Sequence, residues 1–392
     1  MSTITESPAP NPSAPADERT WPERAAALAP QLAAYSADHD RSGTFVTEAF
    51  DLLRAEGFIG ALVPTEFGGA GISHVEAGAV LTELAKGCPA TAVTLSMHYH
   101  LVATQVWRHN AGQDAEGVLR KVADTDAILI STGASDWIDS NGTATKVEGG
   151  YQVTARKSPA SGAPVGTILV TSVPWAEGPD GPSVIHCAVP FAAEGVSIDA
   201  TWDTMGLRAT GSHTVVLDDV FVPDAAVSLI RPAGQWHPVW NAVLGSAMPL
   251  IMSAYLGIAA AAAELATEAV AASVGIDDAA VAVQLDGLGR MGNQLTTASD
   301  LVAAMLASSD NLSFAPTLTH TATVLARKTE AAEAMIATVR SALDLYGGRG
   351  FTVAGGLERL YRDVHGALYH PLPAAKQRQF SARVALGLDP LG

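Results

Sequence analysis

The chain is poor in basic residues, in cysteine and in aromatic side chains. Lys and Arg together number 23 against 40 Asp and Glu in 392 residues, a formal net charge of −17 at pH 7. A nucleic-acid partner needs Lys and Arg gathered on one face to neutralise phosphates. GYQVTARK carries two cations on one strand-like run and no longer basic stripe occurs, which excludes that partner. The two cysteines, Cys88 and Cys187, belong to no CxxC or Cys/His spacing, so no disulfide framework or zinc site is signalled and a cytoplasmic setting is expected. No GxGxxG, P-loop, GxSxG or HExxH pattern is present. LGIAAAAAELATEAVAAS is interrupted by Glu264 and Glu268 and reads as a buried helix of a soluble protein, not a membrane span. The opening MSTITESPAPNPSAPADE has neither a basic start nor an apolar core, so residues 1–20 are expected to be a disordered tail, not a signal peptide or anchor.

What is present is enough apolar material, 48%, to bury a large core in two or three domains. From 21 to 125 the stretches AAALAPQLAAY, FVTEAFDLLRAEGF and VEAGAVLTELAKG repeat apolar residues at i, i+3, i+4 and i+7, which predicts a helical domain. AILIST, GYQVTA, GTILVTSVP, SVIHCAVP and HTVVLDDVFVP, between Gly, Pro and Asp turns, predict about six strands in a barrel or sandwich over 126–232. Helical periodicity returns near 239–273, 279–309 and 315–346, with a short helix at 374–386, so 233–392 is expected to be a four-helix bundle. The fold class is α+β multidomain, in the order helices, sheet, bundle.

Some residues invite two readings each. MHYH places His98 and His100 at i and i+2, on opposite sides of a helix, so they share no metal site; either lines a pocket or is a satisfied core histidine. Gly347, Gly348 and Gly350 in YGGRGF let backbone approach a phosphate closely, or simply end a helix. Trp236, His237 and Trp240 precede the first long helix, as an aromatic wall or as packing.

Three further stretches in this order carry a resemblance: LVPTEFGGAG, TWDTMGLRATGSHTVVLDDVFVP, and LYGGRGFTVAGGLERLYRD. Together they resemble the acyl-CoA dehydrogenase superfamily over everything after the tail. The resemblance implies a flavin cofactor, with Thr132 and Ser135 of ISTGASD against the ring, Gly347, Gly348 and Gly350 near phosphates, and a homotetramer or homodimer. It also implies a substrate pocket beside the helix of His98 and His100 and the first bundle helix, with Met252 and Tyr255.

The dehydrogenases of that superfamily need a carboxylate to take an α-proton while the flavin takes a hydride. Here the usual glutamate slot holds Pro371, and the alternative position on the bundle helix, LGSAMPLIMSAYLG, has no acid. An F-D-x-x-R pattern and an R-K-T-F-G run are absent too, the latter replaced by ASVGIDD. KSPASGAP, with Lys157, Ser161 and Gly162, is similar to the Lys-x-x-x-Ser-Gly segment of a branch of flavin monooxygenases that accept FMN or FAD reduced by a separate reductase. That branch also sets a histidine beside a proline over the flavin, which assigns the catalytic role to His370 next to Pro371 and a flavin contact to Ser161. Such an imidazole either hydrogen-bonds the oxygen-activated flavin or deprotonates a substrate. The expected function is therefore a reductase-supplied flavin monooxygenase acting on a small apolar substrate. An acyl-CoA dehydrogenase with a displaced base and a catalytically silent partner subunit stand as alternatives.

Overall fold

The computed structural model describes residues 18–132, 140–272 and 278–392. Most of the expected tail lies outside them. Its last residue, Thr20, caps the first helix: the Glu23 amide donates to the Thr20 hydroxyl, and the Glu23 carboxylate accepts from the Thr20 amide. Helices α1 (Trp21–Ser42), α2 (Thr47–Ala55), α3 (His74–Gly87), α4 (Pro89–Asn110) and α5 (Glu116–Thr125) come first. A second capping box, Ser73 with Glu76, opens α3.

Among the described residues eight strands follow, against the six or so predicted: β1 (Leu129–Ser131), β2 (Thr143–Val147), β3 (Gly150–Ala160), β4 (Ile168–Trp175), β5 (Ser183–Pro190), β6 (Val196–Asp199), β7 (His213–Pro223) and β8 (Val227–Pro232). They make two four-stranded sheets, β1-β4-β5-β8 and β2-β3-β7-β6. The sheets stay open and do not close into a barrel, so the sandwich half of the expectation describes them. Along β3, Val153, Ala155 and Lys157 are buried while Thr154, Arg156 and Ser158 are exposed, the period of two expected for a half-covered sheet. The parallel pair of β1 with β4, Leu129 opposite Ile168, brings the end of β1 close to α4.

The chain closes with α6 (Val239–Ala271), α7 (Asp278–Ser308), α8 (Leu318–Tyr346), α9 (Leu357–Val364) and α10 (Ala374–Ala385). Helix α6 is long and apolar enough to cross a bilayer, but 89% of its most apolar window is buried inside the protein, against α3, α4, α7, α8 and α9. Its alanines and serines let neighbours approach, and Thr82 of α3 donates its hydroxyl to the Ser253 carbonyl across the contact at 3.0 Å. Because α3, α4, α7, α8 and α9 all pack against α6, the residues on its first half are held where the helices meet the sheets.

Candidate active site

Between α4, the first half of α6, the sheets and the segment after α9 lies a cavity of about 1510 Å³. Single small-molecule sites usually take roughly 300–1,000 Å³, so this one has room for two ligands. Its α6 side is apolar, with Trp240, Leu244 and Met248; its sheet side is hydroxylic, with Thr132, Ser161 and Ser212.

The hydroxyls on the sheet side have a fixed sense. Thr210 donates to the Leu207 carbonyl at 2.9 Å, so in its 2.6 Å contact with Ser212 it accepts. Ser212 thereby spends its proton and must accept from Ser161 at 2.8 Å. Ser161 is left with lone pairs for the cavity, an acceptor for an N–H group. Thr132 shares a 3.1 Å contact with the hydroxyl of Thr171.

A loop covering 202–212 forms one rim and is clamped to the rest of the chain. The Leu207 amide donates to the Asp363 carboxylate at 2.5 Å, and Trp202 Nε1 donates to the Leu207 carbonyl at 2.9 Å. Arg362 donates to the Met205 carbonyl at 2.8 Å while pairing with Asp40 and Glu358 at 2.6 and 2.7 Å. A Cβ at Gly206 would stand 2.4 Å from the Arg362 carbonyl oxygen, so only glycine lets the loop sit so close to α9.

His370 stands at the inner end. Its Nε2 is 2.8 Å from the hydroxyl of Tyr255, which is fully buried on α6. Its carbonyl accepts from Lys328 Nζ at 2.8 Å, and the same ammonium reaches the Leu372 carbonyl at 3.4 Å. Burial, then the Lys328 charge and His100, hold His370 down at about 3. Burial likewise lowers His100 to about 4 and Lys328 to about 8, and pushes the Tyr255 phenol well up. Among the described residues no Asp or Glu lines the cavity. Asp363, next in sequence to the lining residue Arg362, is turned to the Leu207 amide; burial pushes it up to about 7 against the pull of that hydrogen bond.

The structure thus brings together His370, His100, Tyr255, Thr132 and Ser161 of the expected residues. It does not bring in His98, whose Nδ1 accepts from the Leu129 amide at 3.0 Å and whose Nε2 donates to the Ile59 carbonyl at 3.1 Å. That imidazole fastens α4 to β1 and lies off the cavity lining, on the opposite side of the helix from His100. Met252 is buried in the helix packing, also off the lining. Lys157 donates to the carbonyls of Asn141 and Ser172 at 2.7 and 2.6 Å, so it secures a turn while Ser161, farther along the same segment, reaches the cavity. Gly347 ends α8 with a φ of 69°, its amide bonded to the Leu343 carbonyl, and within one chain Gly347, Gly348 and Gly350 are not part of the lining. Ser135 lies outside the described residues. Sequence reasoning gave no role to Lys328, Asp363, Thr210 or Ser212. TGS within the quoted GLRATGSHTVVL stretch carried a signal for Thr210 and Ser212, and the end of LERLYRD one for Asp363.

Residues 17–126 match the family model of the acyl-CoA dehydrogenase N-terminal domain, and residues 250–372 that of an acyl-CoA dehydrogenase C-terminal domain. The chain belongs to the acyl-CoA dehydrogenase family. Within that family it is similar to the L-evernosamine nitrososynthase of a Micromonospora species, 30% identical, with 95% of this chain and 91% of that protein covered. It is also similar to the isobutylamine N-hydroxylase of Streptomyces viridifaciens, 28% identical over 82% of this chain and 84% of that one. Among solved structures, KijD3 in complex with FMN and a dTDP-linked amino keto sugar superimposes with a TM-score of 0.85 at 28% identity, covering 96% of both chains. A family member's flavin is a flat tricycle with one apolar end and one edge of N–H and carbonyl groups. The apolar α6 wall, the acceptor lone pairs of Ser161 and the hydroxyl of Thr132 fit such a group.

Proposed function

We propose that this chain is a flavin-dependent monooxygenase that receives reduced FMN or FAD from a separate reductase and adds one oxygen atom to a small, largely apolar substrate, with an amine nitrogen as the first centre to test. The observation that carries this reading is a cavity furnished with neutral imidazole and free of Asp and Glu side chains among the described residues. Desaturation of an acyl thioester needs a base for a carbon-bound proton. Position 371 is proline, and the carboxyl of Asp363 is committed to a backbone amide away from the lining.

When bound in its reduced form, the flavin supplies the electrons that activate dioxygen. Thr132 and Ser161 would hold its N–H and carbonyl groups, and Trp240, Leu244 and Met248 would keep water from the reacting space. His370 faces that space with a ring nitrogen. An ammonium guest finds no Asp or Glu side chain in these walls but meets the cations Arg362, Lys376 and Arg383, and desolvation drives it to the neutral amine, the form with a lone pair able to take up oxygen. The same property separates this site from one that recognises a cation. Phe351, 92% exposed beside the glycine turn, supports an assembly of two or four copies in which that turn is covered.

The test is turnover of a panel of small amines with a flavin reductase, NADH and each flavin under ¹⁸O₂. The expected result is one labelled oxygen atom in the product, dependent on the reductase. Reduction of an artificial acceptor by acyl-CoA substrates, without oxygen or reductase, would instead establish a desaturase.

A further inference from the structure

The contact between Tyr255 and His370 fixes more than the position of the imidazole. Tyr255 is fully buried, and its hydroxyl keeps its proton because burial and the nearby Asp363 carboxyl both oppose ionisation. A buried O–H must have an acceptor, since an unmade hydrogen bond there costs about 1–3 kcal/mol. Among the described residues the acceptor within reach is His370 Nε2, at 2.8 Å. The reverse arrangement, with Nε2–H donating to the phenol, strands the phenol proton. Tyr255 therefore donates, Nε2 is the basic nitrogen, and the proton of the neutral ring resides on Nδ1. His370 borders the cavity, and among the described residues Nδ1 has no protein acceptor.

The ring's other neighbours do not provide one. From α4 comes His100, whose Nδ1 donates to the Ser96 carbonyl of its own helix and which makes no hydrogen bond to the His370 ring. From α8 comes the Lys328 ammonium, a donor bound to the His370 carbonyl; from α9 come Asp363, engaged with Leu207, and Arg362, paired with Asp40 and Glu358. The Lys328 ammonium discourages a second proton on the ring.

The geometry assigns to Tyr255 the role of a positioning residue that locks His370 in its Nδ1–H form, so that the catalytic imidazole offers the cavity a neutral hydrogen-bond donor and not a base. This rests on the monooxygenase reading for what the donor meets: an N–H aimed at an oxygen atom that gains negative charge stabilises it as the atom is transferred. Of the two tasks a histidine at this position allows, donation and deprotonation, only the first is left.

The lock is read directly in flavin-free protein by ¹⁵N NMR of labelled histidines, with His370 assigned by loss of its signals in His370→Gln. At pH 7 the wild type should show a protonated Nδ1 and a basic, hydrogen-bonded Nε2. In Tyr255→Phe the ring should move toward the Nε2–H form that histidine prefers in water. With reductase and substrate, the same variant should lose roughly tenfold in the ratio of product to hydrogen peroxide at little change in KM. A wild-type signal with the proton on Nε2, an imidazolium signal, or an unchanged signature in Tyr255→Phe each overturns the lock. If Tyr255→Phe does not fold, the wild-type spectrum alone decides. If the spectrum is as expected but no substrate is oxygenated, the functional reading fails while the lock stands.

Discussion

Around His370 and around Gly350, two stretches close in sequence meet opposite fates in the fold. The His370 wall is finished by its own chain: α6 supplies Tyr255, α8 supplies Lys328, and every polar group named there has a partner or faces the cavity. The glycine turn after α8 is unfinished. A Cβ on Gly347 or Gly348 would meet no atom within 4 Å, and Phe351 and Val353 are 92% and 66% exposed. The wall is thus closed by its own chain, and the turn is left open by it. The largest expected effect breaks this contrast on the wall side. His370→Ala should lower product formation by about 10²–10³-fold, the usual scale for removing one placed donor, while flavin oxidation continues with hydrogen peroxide as product. Full product formation by the variant would take His370 out of the mechanism. His98→Gln, on the other side of α4, should leave the product-to-peroxide ratio intact and lower the melting temperature.

Acid separates the two regions next. Burial holds His74, His98 and His100 near 4 and His370 near 3, below their ordinary 6.5. An unfolded chain takes up protons at these rings from pH 6.5 downward, the folded one only near 4. Their stabilisation is complete above 6.5 and is lost as the pH falls toward 4. Asp363, pushed up to about 7, runs the other way: its share is complete below about 3.8 and lost as the pH rises to 7. The lowered imidazoles, His186 at about 3 among them, outnumber the raised carboxyls Asp363 and Asp126 and leave a net loss in acid. Amide exchange from pH 7 to 4.5 should therefore rise around α4 and 365–373 before it rises in 347–356, where no histidine is buried. Uniform loosening would deny the difference between the regions.

How much of this was legible in the sequence follows from what each signal encodes. Helical and strand periods are local, and they place the three layers well: α6, α8 and α10 begin and end within a few residues of the predicted spans. A missing acid is also local, and Pro371 announces it. The partners of a side chain are not. Nothing near Lys328, in ARKTE, distinguishes an ammonium turned to two carbonyls of another segment from an ordinary solvated lysine. MHYH shows that His98 and His100 diverge, but which one meets the cavity depends on where β1 lies, and β1 is fixed by its parallel pairing with β4. The glycine turn was legible as a motif and silent about place.

Lys328→Met sharpens the wall by a smaller amount. The methionine fills the same channel but leaves the carbonyls of His370 and Leu372 without their donor, a loss of about 1–3 kcal/mol in unfolding free energy. Removing the cation beside the ring should also raise the His370 titration, seen by the same ¹⁵N signals. An unchanged melt and an unchanged ring would show that the ammonium is not holding this segment.

Phe351→Ser carries the smallest effect and bears on the turn. Because the ring is almost wholly exposed in one chain, its loss should hardly change the folding of that chain. A turn that is covered by a second copy should respond differently: an exposed aromatic that becomes a buried anchor at an interface contributes upward of 1 kcal/mol, or about tenfold in dissociation. Sedimentation across a concentration series, with thermal melts in parallel, distinguishes the cases. A dissociation constant raised about tenfold at constant intrinsic stability means that copies of the chain complete the turn. A dissociation constant and a melt both unchanged mean that Phe351 is uncovered in the assembly, and that the three glycines do no more than end α8.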